Sequence, residues 1–431
     1  MKRLLQTPIV LLLAAAPASE APSPAAMKAT VTALVGFGTR HSLSDPTDPK
    51  RGIGAARAWA KARFEAIGAT CGGCITTETI ARTFTGPRAP NGVEIVDVLG
   101  IQKGSDPNRV VIVGGHIDSI VGDVMDSKAD APGANDDASG VAVVLEAARL
   151  LSRHKFKATI VYAVFSGEEQ GLWGGKLLAD TAKERGWQVS AMLNNDIVGN
   201  SVGKDGVIAN RTVRVFSEGI RNVEDLKGDL ARRANGGEDD GPSRALAKTI
   251  DGVAAGIPGG LDAFIVRRPD RFGRGGDHLP FLELGYPAVR FTVAAERWDG
   301  QHQYVRTEKG VAYGDTIDKM DFVYLSKVAA INIATIRRLA GAPAAPEGVT
   351  VAGALSRDTT VAWQAVPGAV KYRVHWRRAD TQTWSMSRNV PGATELVLKN
   401  VPIDDNFVGV SAVAADGSES LVTFAGPAPR K

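Results

Sequence analysis

The chain has 431 residues, with 51 basic and 47 acidic side chains and a formal charge of +4. Its length exceeds what one small core uses, so two folded units are expected, and so even a charge balance excludes nucleic acid as an expected partner. Two cysteines in all exclude a zinc site built from four thiolates.

In chain order, Met1-Lys2-Arg3 is a positive start and Ile9 to Ala16 an apolar stretch too short to span a bilayer. Ala16-Pro17-Ala18 or Ser19-Glu20-Ala21 then offers small residues for cleavage. Residues 1–21 are expected to be an export signal and the protein periplasmic or secreted, with no membrane span further on. An Ala/Pro/Ser linker through Ala26 follows, and the first folded unit is expected over 27–340. Cys71 and Cys74 bracket two glycines. In an exported chain this spacing is expected to close as a small structural disulfide.

Three nearly continuous apolar runs come next: Arg109 to Val113, Thr159 to Phe165, and the segment around Met192-Leu193. Such runs read as strands buried on both faces of a parallel sheet. Between the first two, Val141, Val144, Leu145, Ala148 and Leu151 recur at helical spacing, with Ser139 as the expected N-cap. The pattern predicts an α/β fold, a mostly parallel central sheet flanked by helices. Function in such sheets collects at the carboxyl ends of the strands.

There the sequence places His116-Ile117-Asp118, then Asn135-Asp136-Asp137-Ala138-Ser139-Gly140, then Ser166-Gly167-Glu168-Glu169, then Asn195-Asp196. Taken singly these read as a surface hydrogen bond, a turn and a helix start. Taken together and in order, each beside a buried element, they read as one metal site assembled by folding. Zinc accepts imidazole nitrogen and carboxylate oxygen, and a bridging carboxylate can hold two ions. Adjacent glutamates point in different directions, so Glu169 can bind metal while Glu168 serves as general base.

The motifs His-x-Asp, Asn-Asp-x-Ala-Ser-Gly, Glu-Glu and a lone Asp stand in the order found in the M28 zinc aminopeptidases, and residues 28–340 resemble that family. The resemblance implies a zinc-exopeptidase-like fold and two zinc ions per chain. His116 and Asp196 would hold one, Glu169 and a late histidine the other, with Asp136 bridging. It further implies that Asp118 hydrogen-bonds the His116 ring, that Asp136-Asp137 is a cis peptide, and that the substrate is a peptide with a free N-terminus. Two late histidines qualify as the last ligand: His278 in Asp277-His278-Leu279-Pro280-Phe281, and His302 in Gln301-His302-Gln303. The family's last ligand stands shortly before Asp-Thr, here Asp315-Thr316, which favours His302 despite about ten extra residues between them. His278 then lines the substrate pocket, with Asp137 and Asp277 near the site. His41, His154 and His375 are expected at the surface.

The stretch from Ser201 to Gly275 is less legible. Phe264, Arg271 and Phe272, in loops at the rim, are expected to help set specificity. Beyond a helix ending near Leu339, residues 341–347 form a Pro/Ala-rich linker. Short alternating runs over 348–431 predict an all-β sandwich. This part resembles a fibronectin type III module, with Trp363 in the core, Tyr372 and Trp376 on the next strand and Asp416-Gly417-Ser418 in the last hairpin. It departs at the tyrosine corner, where Asn406-Phe407 stands, and its expected role is structural or a contact with cell surface or substrate.

Three alternatives to a dinuclear aminopeptidase stand. A single-zinc glutaminyl cyclase shares the fold and is separated by metal count. A co-catalytic carboxypeptidase or dipeptidase often carries an inserted dimerisation domain, for which no segment is evident. An exported binding protein without activity would lack the base or a ligand.

Overall fold

The computed structural model describes residues 21–428. The expected export signal falls, but for Ala21, outside them. The chain then enters a helix earlier than the Ala/Pro/Ser composition suggests. Helix α1 (Pro24–Val35) is capped by Ser23, whose Oγ accepts from the Ala26 N–H at 3.2 Å, with proline in its first turn. It buries Met27, Val31 and Leu34. After α2 (Gly52–Thr70), Cys71 and Cys74 are joined in a disulfide at the turn into the sheet.

The central sheet comprises β1 (Thr76–Gly86), β2 (Ala89–Gln102), β3 (Asp106–His116), β4 (Ala158–Phe165), β5 (Gln188–Asn195), β6 (Thr212–Phe216), β7 (Asp262–Val266) and β8 (Ala288–Val293), in spatial order β1-β2-β4-β3-β5-β8-β6-β7. The inner pairings β4–β3, β3–β5 and β5–β8 are parallel, as is β6–β7 at one edge, while β1, β2 and the β6–β8 pairing run antiparallel. Side chains of β3 alternate between two cores. Val111 and Val113 pack with helices α1, α2, α3 (Ala138–Leu151), α7 (Pro242–Ala255) and α9 (Phe322–Gly341); Val110 and Ile112 pack with α5 (Trp173–Glu184) and α8 (Leu279–Glu283). Because both faces are covered, the strands read as continuous apolar runs. No helix among the described residues is long and apolar enough to cross a membrane.

Helix α3 begins two residues earlier than expected. Its N-cap is Asp137, whose Oδ1 accepts from the Gly140 N–H at 2.9 Å. Ser139 instead donates to the Asn135 carbonyl at 2.6 Å and accepts from the Val198 N–H at 3.0 Å. A Cβ at Gly140 would stand 2.1 Å from the Asn195 carbonyl, so the motif's glycine lets the helix start press against the end of β5.

Beyond an exposed hairpin, β9 (Arg306–Glu308) and β10 (Val311–Tyr313), and helix α9, come two four-stranded sheets. One has β15 (Glu395–Leu398), β12 (Thr359–Ala362), β11 (Thr350–Ala352) and β18 (Gly426–Pro427); the other has β14 (Met386–Pro391), β13 (Lys371–Arg378), β16 (Asn406–Val413) and β17 (Thr423–Phe424). Their shared core holds Trp363 against Tyr372, ring centroids 5.3 Å apart. Phe407 faces the first unit. It packs on Phe424 and the Arg377 guanidinium and reaches Gly236 after α6 (Leu226–Asn235). Arg377, buried, pairs with Asp240, which also takes Lys248 at 2.6 Å. The 341–347 segment is held too, because Arg109 donates to the Ala342 carbonyl at 2.7 Å.

Two histidines expected at the surface are taken up by such contacts. His41 is fully buried, its Nε2 2.9 Å from the Val124 carbonyl, and His375 meets Glu419 at 3.1 Å. Arg338 and Arg373 reach the same carboxylate at 3.3 and 2.7 Å. Burial alone would raise the pKa of Glu419, yet hydrogen bonds from His375 and Ser411 and the charge of Arg338 hold it at about 2. A carboxyl depressed on folding stabilises above its unfolded pKa and loses that contribution as pH falls through the folded value. Glu419 is therefore expected to contribute about 3 kcal/mol at neutral pH, lost between roughly pH 5 and pH 2. Thermal melts across that range should show a shallower acid loss in Glu419→Gln; identical slopes would remove the assignment.

Candidate metal centre

Register brings the motif residues together. His116 pairs with Phe165 and Gly114 with both Ala163 and Asn194, so β3, β4 and β5 end side by side. The residues after each strand consequently meet at one rim. His116 ends β3, Glu168 and Glu169 open the short helix α4 (Glu168–Gly171) after β4, and Asp196 follows β5. Asp136 enters from the loop before α3, through a cis peptide to Asp137.

Asp137 secures that loop. Its carboxylate accepts from the His116 N–H at 3.0 Å and the Ile197 N–H at 3.3 Å, besides capping α3. Asp315, of the Asp-Thr that follows the last histidine, completes the support: it accepts from the N–H groups of Asn135 and Asp136 at 2.9 and 2.7 Å. Arg40, fully buried, donates to the carbonyls of Ile117, Pro132 and Gly133 at 2.6, 2.6 and 2.9 Å. Arg40 stands in no motif, and the Asp-Thr that marks Asp315 does not announce its hold on the Asp136 loop.

Asp136 faces two ways. Its Oδ1 lies 3.2 Å from His116 Nε2, and its Oδ2 lies 3.1 Å from His302 Nε2. His116 Nε2 is also 3.9 Å from Asp196 Oδ2, and His302 Nε2 is 3.0 Å from Glu169 Oε1. Two donor triads share Asp136, His116–Asp136–Asp196 and Asp136–Glu169–His302, and His116 also lies with Glu168 and Glu169 in a third group, each with its atoms within 4.8 Å of one another. The buried His116 Nε2 and Glu169 Oε1 make no well-aligned hydrogen bond and have only the other donors of their triads close by, which is what donor atoms aimed at a shared cation leave behind. Nitrogen and oxygen donors of these kinds fit zinc.

The charges follow from crowding. The Glu169 charge, against burial and helped by Asp136, lifts the His302 imidazole to about 11. Burial would raise Asp136, but the His116 and His302 imidazoles against its two oxygens outweigh it and hold the carboxyl well below its usual range. Burial pushes Glu168 well above the ordinary value, with Asp196 and Glu169 adding to the rise against the pull of His116. Glu168 lines the cleft beside the two triads.

Asp118 supports the site differently from expectation. His116 Nδ1 has the Asp118 backbone carbonyl at 3.2 Å as its nearer acceptor, with the carboxylate at 3.6 Å. That carboxylate accepts from the N–H groups of Glu168 and Glu169 at 3.3 and 3.1 Å and so fixes the start of α4. Asp277 and His278 lie beneath the site, fully buried. Asp277 accepts from the Gly175 N–H at 2.9 Å, and burial lifts its carboxyl to about 7. His278 Nε2 faces the Pro269 carbonyl at 2.7 Å, so its ring is not on the cleft wall. Arg290, a charge inside the apolar run of β8, pairs with Asp196 at 2.6 Å and Asp270 at 3.1 Å. Of the three rim residues, Arg271 lines the cleft, Phe272 is 91% exposed, and Phe264 lines a separate groove that Trp384 also lines.

The pattern of peptidase family M28 matches residues 97–335. A probable zinc metalloprotease of Leptosphaeria maculans is 40% identical over 93% of this chain and 94% of its own, and one of Pyrenophora teres f. teres is 41% identical over 93% and 84%. Among solved structures, an aminopeptidase from Aneurinibacillus sp. strain AM-1 is 16% identical, with a TM-score of 0.52 over 74% of this chain and 94% of that one. A glutaminyl cyclase from Porphyromonas gingivalis is also 16% identical, with a TM-score of 0.52 over 74% and 99%. At that identity the two structures speak to the fold alone.

Proposed function

Because the chain belongs to peptidase family M28, we propose that it is an exported zinc metallopeptidase, an aminopeptidase that removes N-terminal residues from peptides with a free N-terminus. The observation that carries the reading is the pair of donor triads sharing Asp136, with Glu168 in the same cleft. His116 and Asp196 would hold one zinc, Glu169 and His302 the other, with Asp136 shared between them. Bound there, zinc supplies Lewis acidity that polarises a peptide carbonyl and acidifies water. Glu168 takes the proton of the attacking water and hands it to the departing amine. The substrate's own α-amine, a cation, is drawn to the carboxylates of the cleft floor. The C-terminal sandwich, which we read as fibronectin type III-like, serves as a docked structural module or a contact for cell surface or substrate.

Metal analysis and a substrate pair test this. Two zinc ions per chain are expected, with Asp196→Ala losing one and Asp136→Ala disturbing both. Peptides with a free amine should release a single amino acid, and their N-acetyl counterparts should not. One ion per chain, an Asp196→Ala variant that keeps it, and ammonia released from N-terminal glutamine would assign glutaminyl cyclisation instead.

A further inference from the structure

The cleft of about 450 Å³ has two contrasting walls. One holds the acidic donors. The other is the turn Arg271-Phe272-Gly273-Arg274, closed by the Arg274 N–H donating to the Arg271 carbonyl at 3.1 Å, with Gly273 at φ +68°. A left-handed residue at this point of a tight turn favours glycine, and the turn sets Arg271 and Arg274 on the cleft lining together. Leu172 is the single apolar side chain of appreciable size among the described lining residues, so a pocket for a large apolar substrate side chain is not built there.

Arg271 is unusual in its surroundings. Its side chain is only 8% exposed, Nε meets Asp270 at 3.1 Å and Nη2 donates to the Gly275 carbonyl at 3.3 Å, but Nη1 is buried without a hydrogen bond, with Glu296 Oε2 no nearer than 4.0 Å. Leaving such a donor unmade is costly, and more so for a charged group. The nearby carboxylates are committed elsewhere. Asp270 also holds Arg290 at 3.1 Å, and Glu296, 4.0 Å from Arg271, holds Arg214 at 2.6 Å and Arg274 at 2.7 Å. Four guanidinium groups thus share two carboxylates on this side, apart from the Asp196 contact of Arg290. The wall carries excess positive charge with one open, buried donor. A planar fork with a free N–H beside a second arginine is the arrangement that receives a carboxylate.

We propose that Arg271, with Arg274 beside it, forms a subsite that binds a carboxylate of the substrate, either the C-terminal carboxylate of a short peptide or an acidic side chain. The inference rests on the peptidase reading and names its substrate class. Alanyl-alanine, its C-terminal amide, and the amides of N-terminal glutamate and glutamine residues separate the two sources. With the zinc-loaded full chain, one carboxylate-bearing member of a pair should exceed its neutral isostere in kcat/KM by at least ~10-fold, chiefly through KM. Arg271→Met should bring that ratio to within about threefold, and Arg274→Met should lower it less. Zinc content checks that both variants are folded. Calorimetric titration of the same peptides into zinc-loaded Glu168→Gln gives a readout without turnover, in which the carboxylate member should bind more tightly. Equal affinities and equal kcat/KM within both pairs would overturn the subsite while leaving the peptidase reading intact. Carboxylate-dependent binding without hydrolysis of any peptide would support the subsite and sink the peptidase reading.

Discussion

Glu168→Gln is expected to keep both zinc ions and lose turnover by at least the ~10²-fold associated with removal of a general base. The amide has nearly the same shape, so α4 should stay seated on the Asp118 carboxylate that receives its first two N–H groups. Both triads that share Asp136 are built without Glu168. The substitution therefore separates proton transfer from metal binding. Turnover should fall through kcat with KM little changed, since the substrate contacts remain. Turnover near that of the unaltered protein would place the proton acceptor elsewhere, and loss of zinc would make Glu168 a ligand, as the proximity of His116, Glu168 and Glu169 allows.

The second large effect concerns the two late histidines. His302→Ala is expected to release one zinc and abolish activity, because His302 Nε2 stands about equally close to Asp136 and Glu169, at 3.1 and 3.0 Å. His278→Ala should keep both ions. Its ring is buried beneath the cleft and holds the Pro269 carbonyl that begins the arginine-bearing loop, so its loss should cost about 2–3 kcal/mol of stability and slacken substrate handling. Zinc content and thermal melts of the two variants distinguish these outcomes. If His278→Ala loses zinc while His302→Ala retains both ions, the assignment reverses.

What was legible in the sequence had local causes. Buried parallel strands announce themselves as unbroken apolar runs, and groups placed at their ends must share a rim once the strands align, which is why His116, Glu169 and Asp196 could be named together. Long-range support was not legible. Asp315 and Arg40 act on backbone groups far away in sequence, and a backbone N–H or carbonyl leaves no residue-specific trace of its partner. The N-cap of α3 was misplaced by two residues because Ser139 and Asp137 are both good caps, and only the folded register decides which points inward. His41, in a polar stretch, and His375, in the C-terminal module, are both expected at the surface, yet each is held by a partner remote in the chain. Arg290 did carry a signal, a guanidinium in a strand otherwise apolar.

The additional residues between His302 and Asp315 form the β9–β10 hairpin, turned through Lys309 and Gly310, both at positive φ. Its base is pinned where Tyr304 donates to Asp126 at 3.1 Å, and the support for Asp136 resumes at Asp315. Everything the metals would need lies before or after the hairpin, and its strands project into solvent. Chain length here is consequently free to drift among relatives, since doubling a flexible loop costs only about 0.6 kcal/mol in closure entropy. The same freedom makes the Lys309-Gly310 tip a graft point, where an inserted epitope or fluorophore would ride beside the cleft without entering it.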